Sequence, residues 1–178
     1  MQPLHPFEPL PWLQGTQLSG EAQWQGGELQ VLFALHAPDH AVLRPAGAGQ
    51  LQRRDGLWHN TCFEAFVGAP GQEGYWEINL SPNGDWNVYA LSAYRQNLTP
   101  VAEISALPYS LRADEGQLQI GFQLDFGQLL NPSEPIELSL TAVLHHSEHG
   151  VSFWAWQHGA AEADFHHRAS FQLLQPSA

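Results

Sequence analysis

Apolar and polar residues alternate along most of this chain with a period of two. That is the pattern of strands whose successive side chains point to opposite faces. Trp76, Ile78 and Leu80 alternate with Tyr75, Glu77 and Asn79, and Phe63, Ala65 and Val67 alternate with Cys62, Glu64 and Phe66. No long 3.6-residue period appears, so no long helix is expected. Turn residues recur roughly every 8–12 positions, the rhythm of an all-β sandwich or barrel. Gly20 to Gln25 and Glu28 to Leu35 are expected as strands around a Gly26-Gly27 turn. Thr61 to Val67, Tyr75 to Leu80 and Asp85 to Leu91 are expected as a three-stranded meander, its second turn carrying a strong Asn83-Gly84 signal. Glu103 to Arg112 and Gln117 to Asp125 form a second expected hairpin. Ile136 to Leu144, Val151 to Trp156 and Ala169 to Leu174 follow as strands. Phe126 to Leu130 reads as one helical turn stopped by Asn131-Pro132, and Arg44 to Asp55 as a long loop. The first eleven residues hold four prolines and read as an extended arm. The pattern predicts one domain over residues 1–178: an antiparallel β-sandwich with long loops and at most short helical turns.

Composition narrows the partners. A chain of 178 residues buries roughly 70% of its unfolded surface as a single domain. Its apolar share of 43% and aromatic share of 11% suit a globular core. The formal net charge is −12, and all six basic residues are Arg. Phosphate backbones and anionic membranes are held by clustered Lys and Arg, and no basic cluster here exceeds Arg53-Arg54. Nucleic acid and membrane are therefore not expected as partners. The ten His residues offset part of the negative charge below about pH 6.5. A lone cysteine, Cys62, excludes an intrachain disulfide. The N-terminus has neither a basic start nor an apolar run, and no segment is long enough to cross a membrane as a helix. A cytoplasmic location is expected, which makes the glycosylation sequon Asn97-Leu98-Thr99 a chance match.

Residues 58–95 carry the candidate chemistry. Alternation puts Glu64, Glu77 and Asn79 on one strand face, and carboxylates there cost stability unless water, a partner or a ligand satisfies them. The register that suits the turn pairs Glu64 with Glu77, Cys62 with Asn79 and Phe66 with Tyr75. Opposed carboxylates repel; a shared proton, a nearby Arg such as Arg95, or a metal or polyol ligand would relieve them. The ordinary alternative is a solvated outer face. Trp58, Trp76, Trp86, Tyr89 and Tyr94 lie close by in sequence. Trp76 is expected in the core, and Trp58 and Trp86, at strand or loop ends, are better placed as platforms. A sugar ring has an apolar C–H face and a hydroxyl rim, which suits aromatic, carboxylate, amide and guanidinium groups together. Trp58, Glu64, Glu77, Asn79, Trp86, Tyr89 and Arg95 are thus candidate ligands of a saccharide or sugar derivative.

His59, Asp164, His166 and His167 are candidate metal ligands, for a metal-binding protein or a metal-dependent enzyme. Their spacing fits no named metal motif. The alternative places these histidines in loops, one of them bonding a buried carboxylate such as Glu64. Catalytic signatures are weak: there is no Gly-x-Ser-x-Gly, phosphate-binding loop or dinucleotide fingerprint. Cys62 could imitate a thiol nucleophile, but a lone strand cysteine is more often a packing residue. Glu64 and Glu77 could imitate a glycosidase pair, but adjacent strand positions form only a shallow site. Binding without catalysis is the first expectation. A protein-interaction module, using an exposed sandwich face or the Pro-rich arm, is a further class.

The runs Trp58-His59-Asn60-Thr61-Cys62-Phe63-Glu64-Ala65-Phe66 and Tyr75-Trp76-Glu77-Ile78-Asn79-Leu80-Ser81-Pro82-Asn83-Gly84-Asp85-Trp86, with Tyr94-Arg95 and Asp164-Phe165-His166-His167, resemble DOMON-like, family 9 carbohydrate-binding-module-like domains. They look most like a standalone bacterial branch of that superfamily. The resemblance covers roughly residues 10 to 174. It implies an immunoglobulin-like or jelly-roll-like sandwich that binds a ligand. Some relatives bind sugars, clamped between two Trp, and others bind haem through Met and His. The only methionine here is Met1, so Met/His haem ligation is not expected. A structural metal ion, held by the His and Asp candidates above, is the remaining cofactor expectation.

Overall fold

The computed structural model describes residues 1–37, 51–127 and 129–177. Its strands are β1 (Gln2–Pro6), β2 (Gln17–Gln25), β3 (Glu28–His36), β4 (Cys62–Gly68), β5 (Tyr75–Leu80), β6 (Trp86–Leu91), β7 (Thr99–Pro100), β8 (Tyr109–Asp114), β9 (Gln117–Asp125), β10 (Ile136–His146), β11 (Gly150–Ala155) and β12 (Gln172–Leu174). Among the described residues every strand pairs antiparallel, in the order β7-β6-β5-β4-β10-β11-β1-β2-β3-β9-β8, with β12 on the free end of β10. The sheet curls so that β2, β3, β9 and β8 face β4, β5, β6, β10 and β11 across a common core. Phe33 of one layer meets Phe63 of the other with ring centroids 5.2 Å apart. The expected all-β antiparallel sandwich is present, and helical structure among the described residues is limited to three short 3₁₀ turns.

Local sequence explains most element boundaries. Gly26 and Gly27 both have positive φ (60° and 91°), which a tight turn between β2 and β3 requires. The β4-β5-β6 meander and the β8-β9 hairpin form as expected, although residues 103–108 precede β8 rather than belonging to it. At Phe126 the Leu129 amide donates to Phe126 O at 2.8 Å, a single turn rather than a helix. Of the expected loop at Arg44 to Asp55, residues 44–50 lie outside the described residues. Its end runs along β6, where the Arg54 amide donates to Trp86 O at 2.9 Å.

The Pro-rich arm is corrected by the structure: residues 2–6 are an integral strand. β1 pairs with β2 through Gln2, Pro3 and Leu4, and with β11 through His5 and Pro6. Each half of β1 has only one partner, so its prolines can sit there without breaking a ladder on both sides. β1 thereby joins the two layers, and the arm is not available as a free docking segment.

The layer containing β4 and β5 is buried on both faces. Phe63, Ala65, Val67, Ile78 and Leu80 enter the main core. Behind them Phe66, Tyr75, Tyr89 and Leu91 form a second apolar cluster with Trp58, Phe165 and Phe171. Every residue of β4 is buried, so the solvated outer face is not what forms.

Gly121 occupies the middle of β9 beneath β3, and a Cβ there would stand 2.5 Å from the Val31 carbonyl oxygen. At Gly20 the nearest obstacle is the movable Leu140 Cδ1, at 2.9 Å. Gly121→Ala is expected to cost about 1–3 kcal/mol as overpacking against backbone, and Gly20→Ala less. Urea denaturation of both variants measures the difference.

A candidate ligand cavity over the second cluster

Two cross-strand rows build the floor of the site. Thr141, Glu64, Asn79 and Asn87 stand side by side across β10, β4, β5 and β6; Ser139, Phe66, Glu77 and Tyr89 form the next row. The register differs from the expected one by two residues: Glu64 faces Asn79 and Phe66 faces Glu77. Parity is kept, so the same residues share a face. The shift adds the Gly68–Tyr75 pair and removes the direct opposition of two carboxylates.

Burial dominates the chemistry here. Glu64 is 2% exposed, Glu77 4% and Asn79 0%. Thr141 Oγ1 donates to Glu64 Oε2 at 3.3 Å, and Asn79 Nδ2 donates to Glu77 Oε1 at 2.8 Å. Glu64 Oε1 and Asn79 Oδ1 have no hydrogen-bond partner. Burial, then the nearby Glu77 charge, pushes the Glu64 carboxyl up to about 8. Burial also raises Glu77, opposed by the Asn79 amide and by Arg95. The neighbouring Cys62 thiol is pushed well up by burial and by both glutamates, so it stays protonated and is no nucleophile.

Three segments close over this floor. The 3₁₀ turn Leu57–His59 brings in half-buried Trp58. The loop after β6 brings Arg95, whose backbone amide donates to Tyr75 Oη at 3.2 Å. The segment before β12 brings Phe165 and His166. Arg95 Nη2 and Tyr94 Oη donate to the two Asp164 oxygens at 2.9 and 2.6 Å. The His166 amide caps Asp164 Oδ1 at 3.0 Å. Arg168 fixes the far end of this segment by donating to Gly74 O, Ala69 O and the Glu137 carboxylate. Its guanidinium lies where a Cβ on Gly68 would be, 2.4 Å from that position.

His166 Nδ1 lies 2.8 Å from Tyr75 Oη. Because that hydroxyl already accepts from Arg95, we assign its proton to His166 Nδ1, which leaves an Nε2–H tautomer. Nε2 stands 4.0 Å from Glu77 Oε2. Burial, then Arg95, pushes the imidazole down to about 4, so it is neutral at physiological pH. The expected hydrogen bond from a loop histidine to a buried carboxylate does not form: His166 lies near Glu77 rather than Glu64, at 4.0 Å, and bonds Tyr75 instead.

Between floor and lid lies a cavity of about 340 Å³. Glu64, Glu77, Arg95 and His166 supply its polar lining. Trp58, Phe66, Phe153 and Phe165 are its aromatic walls. A larger concavity, about 800 Å³, lies between β1, the segment after it and the β2-β3-β9 layer. Its lining is mainly apolar, and none of the buried unpartnered polar atoms belongs to it. Convergent polar groups therefore favour the smaller cavity.

Of the sequence candidates, Trp58, Glu64, Glu77 and Arg95 line this cavity. Asn79 lies beneath it, and Tyr89 supports Trp58 (centroids 5.9 Å apart) while donating to Asp55 Oδ1 at 2.9 Å. Trp86 is corrected: it pairs with Leu80 on the core-facing side, 5% exposed, with the Arg53 guanidinium 4.5 Å above its ring. It cannot be the platform beside Glu77. The metal set is corrected too. Among the described residues no three His, Cys, Asp or Glu side chains converge to hold an ion. Asp164 is occupied by Arg95 and Tyr94, His166 by Tyr75, and His59 is exposed. Thr141 and the walls Phe153 and Phe165 were missed as ligand-site residues, and His166 was expected as a metal ligand instead of a wall. Ser139 and Thr141 alternating inside the apolar run Leu138 to Leu144 were the available sign of a polar second face.

No family model matches this sequence, and no curated protein sequence matches it. Solved structures do. A Bacteroides uniformis protein with a provisional carbohydrate-binding designation superposes with a TM-score of 0.70 at 15% identity, covering 98% of this chain and 86% of that one. A family 9 carbohydrate-binding module from Caldicellulosiruptor kristjanssonii, solved with cellotriose, gives 0.57 at 12% identity over 90% of this chain and 75% of the module. A glucose complex of such a module from that organism gives 0.53 at 13% identity, with coverages of 91% and 77%. The chain has a carbohydrate-binding-module-like β-sandwich fold.

The buried acid sets a pH dependence. Native Glu64 holds a proton that the unfolded chain releases near its ordinary value of 4.5, so the stability this proton confers is complete below about pH 4.5 and lost as pH rises to about 8. His166 acts oppositely: its depressed value makes stability rise with pH from about 4 to 6.5. Above pH 6.5 the falling Glu64 contribution is unopposed by His166. Glu64→Gln is expected to flatten the decline in Tm between about pH 6.5 and 8 and to raise Tm at pH 8, with little change at pH 5. Thermal melts across that range provide the check.

Proposed function

We propose that this domain binds a saccharide or sugar derivative in the cavity above Glu64 and Glu77, without catalysis. One observation carries the proposal. A cavity walled by aromatic rings has a buried carboxyl on its floor, and Glu64 Oε1 there lacks any protein partner. Burying an unsatisfied polar atom costs about 1–3 kcal/mol, which a ligand hydroxyl or amine would recover. The cavity volume of about 340 Å³ lies at the lower end of the roughly 300–1,000 Å³ typical of small-molecule sites. The sugars in the complexes of similar fold support the ligand class.

The chemistry supports binding over turnover. Glycoside hydrolysis places two carboxylates on either side of the scissile bond. Here both glutamates rise from adjacent strands of one floor, and Glu77 is bonded to Asn79. Cys62 is held as a thiol.

Isothermal calorimetry with simple sugars at millimolar concentration, with a glycan array, tests the proposal. Trp58→Ala and Arg95→Ala are expected to weaken binding about tenfold or more, equivalent to about 1.4 kcal/mol. The Arg95–Asp164 pair is largely exposed on the Arg side, so the Tm of Arg95→Ala should change little; Trp58 packs in the second cluster, so Trp58→Ala is assayed well below its own lower Tm. No binding of any sugar would overturn the proposal.

A further inference from the structure

The hydrogen-bond inventory below the cavity is lopsided. The Thr141 hydroxyl is spent on Glu64 Oε2, and the Asn79 amide on Glu77 Oε1. What remains unpartnered in the two floor rows is Glu64 Oε1, the Asn79 Oδ1 beside it and the Ser139 hydroxyl; once Glu64 ionises, the first two are acceptors only. Donors come from the lid, as the Arg95 guanidinium and His166 Nε2. Arg95 is the only cation lining the cavity among the described residues, and Asp164 already pairs with it at 2.9 Å.

We infer that the cavity floor takes a protonated amine, and that the ligand class is an amino sugar; this rests on the proposed saccharide site. A hydroxyl brings one donor and no charge. An ammonium brings three donors and a positive charge, which lets the protonated Glu64 ionise beside Glu77. Trp58, Phe66 and Phe165 place aromatic rings around the same space, which favours a cation further. The hydroxyls of the ring then face Arg95 and His166, both able to donate, and its C–H surface faces the aromatic walls.

Ammonium binding has a proton signature. The groups around Glu64 are Cys62 on its own strand, Thr141 on β10, Glu77 on β5, and the lid's Arg95, Asp164 and His166. Cys62 is a protonated thiol, Thr141 a hydroxyl and His166 a neutral ring. Arg95 and Asp164 neutralise each other. The Glu64–Glu77 pair, both raised by burial, is therefore what gives up a proton when a cation arrives, and binding near pH 7 releases it to buffer.

The test is calorimetry near pH 7 with glucosamine, glucose, N-acetylglucosamine and methylammonium, in buffers of different ionisation enthalpy. Expected is glucosamine binding about tenfold or more tighter than glucose and N-acetylglucosamine, with proton release that makes the observed enthalpy buffer-dependent. In Glu64→Gln, which keeps the shape of the side chain, the preference and the proton release should both vanish. Equal affinity for glucose and glucosamine overturns the amine inference and leaves the saccharide site standing. Methylammonium binding with proton release, while no sugar binds, supports the amine floor and overturns the saccharide reading. No binding of any probe overturns both.

Discussion

Ile78 and Leu80 of β5 pack inward opposite Ala65 and Phe63 of β4, and the pleat then dictates where their neighbours go. Glu64, Glu77 and Asn79 must stand on the other face. In an ordinary sandwich that face would meet water. Here Phe66, Tyr75, Tyr89 and Leu91 stand among them and recruit Trp58, Phe165 and Phe171. The aromatic cluster brings the loops down, and the loops take water away from the carboxyls. The raised Glu64, the protonated Cys62 and the cavity above them all follow from polar strand residues sharing a face with aromatics.

Holding a lid over buried acids needs fixed contacts, because the acids themselves gain nothing from losing water. Those contacts sit at the margins. Arg168 fixes one end of the closing segment to the β4-β5 turn and to β10. Asp164 fixes the middle to Tyr94 and Arg95. Tyr75 reaches from the sheet to meet both the Arg95 amide and His166. His166 then faces Glu77 as an uncharged ring. It offers a donor without contributing a cation that would satisfy the floor from within.

The two faces of β4 and β5 were legible because alternation alone decides them. The register was not, because a slip of two residues preserves every inward and outward assignment. Pattern cannot distinguish Glu64–Glu77 from Glu64–Asn79; the extra Gly68–Tyr75 pair and the repulsion of opposed carboxylates can. Trp86 misled because its position at a strand start suggested exposure, whereas its parity with Leu80 already implied the core. Asp164, Phe165 and His166 were noticed for their chemistry but placed in the wrong constellation. Their partners, Arg95, Tyr75 and Phe66, are remote in sequence, and spacing carries no record of such contacts. The prolines near the N-terminus hid β1 for a related reason: a strand paired on one side at a time tolerates prolines that a fully flanked strand would not.

A purely structural network would be expected to close on itself. Thr141 to Glu64 and Asn79 to Glu77 begin such a closure, and a Lys, an Arg or a further amide at the floor would complete it. Instead Glu64 Oε1, Asn79 Oδ1 and Ser139 Oγ are left buried without a partner, while the available guanidinium is held at the rim by Asp164. An unmet buried acceptor destabilises the folded chain, and so does the work of keeping a carboxyl there. Strain of this kind persists where a ligand relieves it. On the proposed reading, the protonated Glu64 and the Glu77 hydrogen-bonded by Asn79, in adjacent rows of one floor, receive a group from one side.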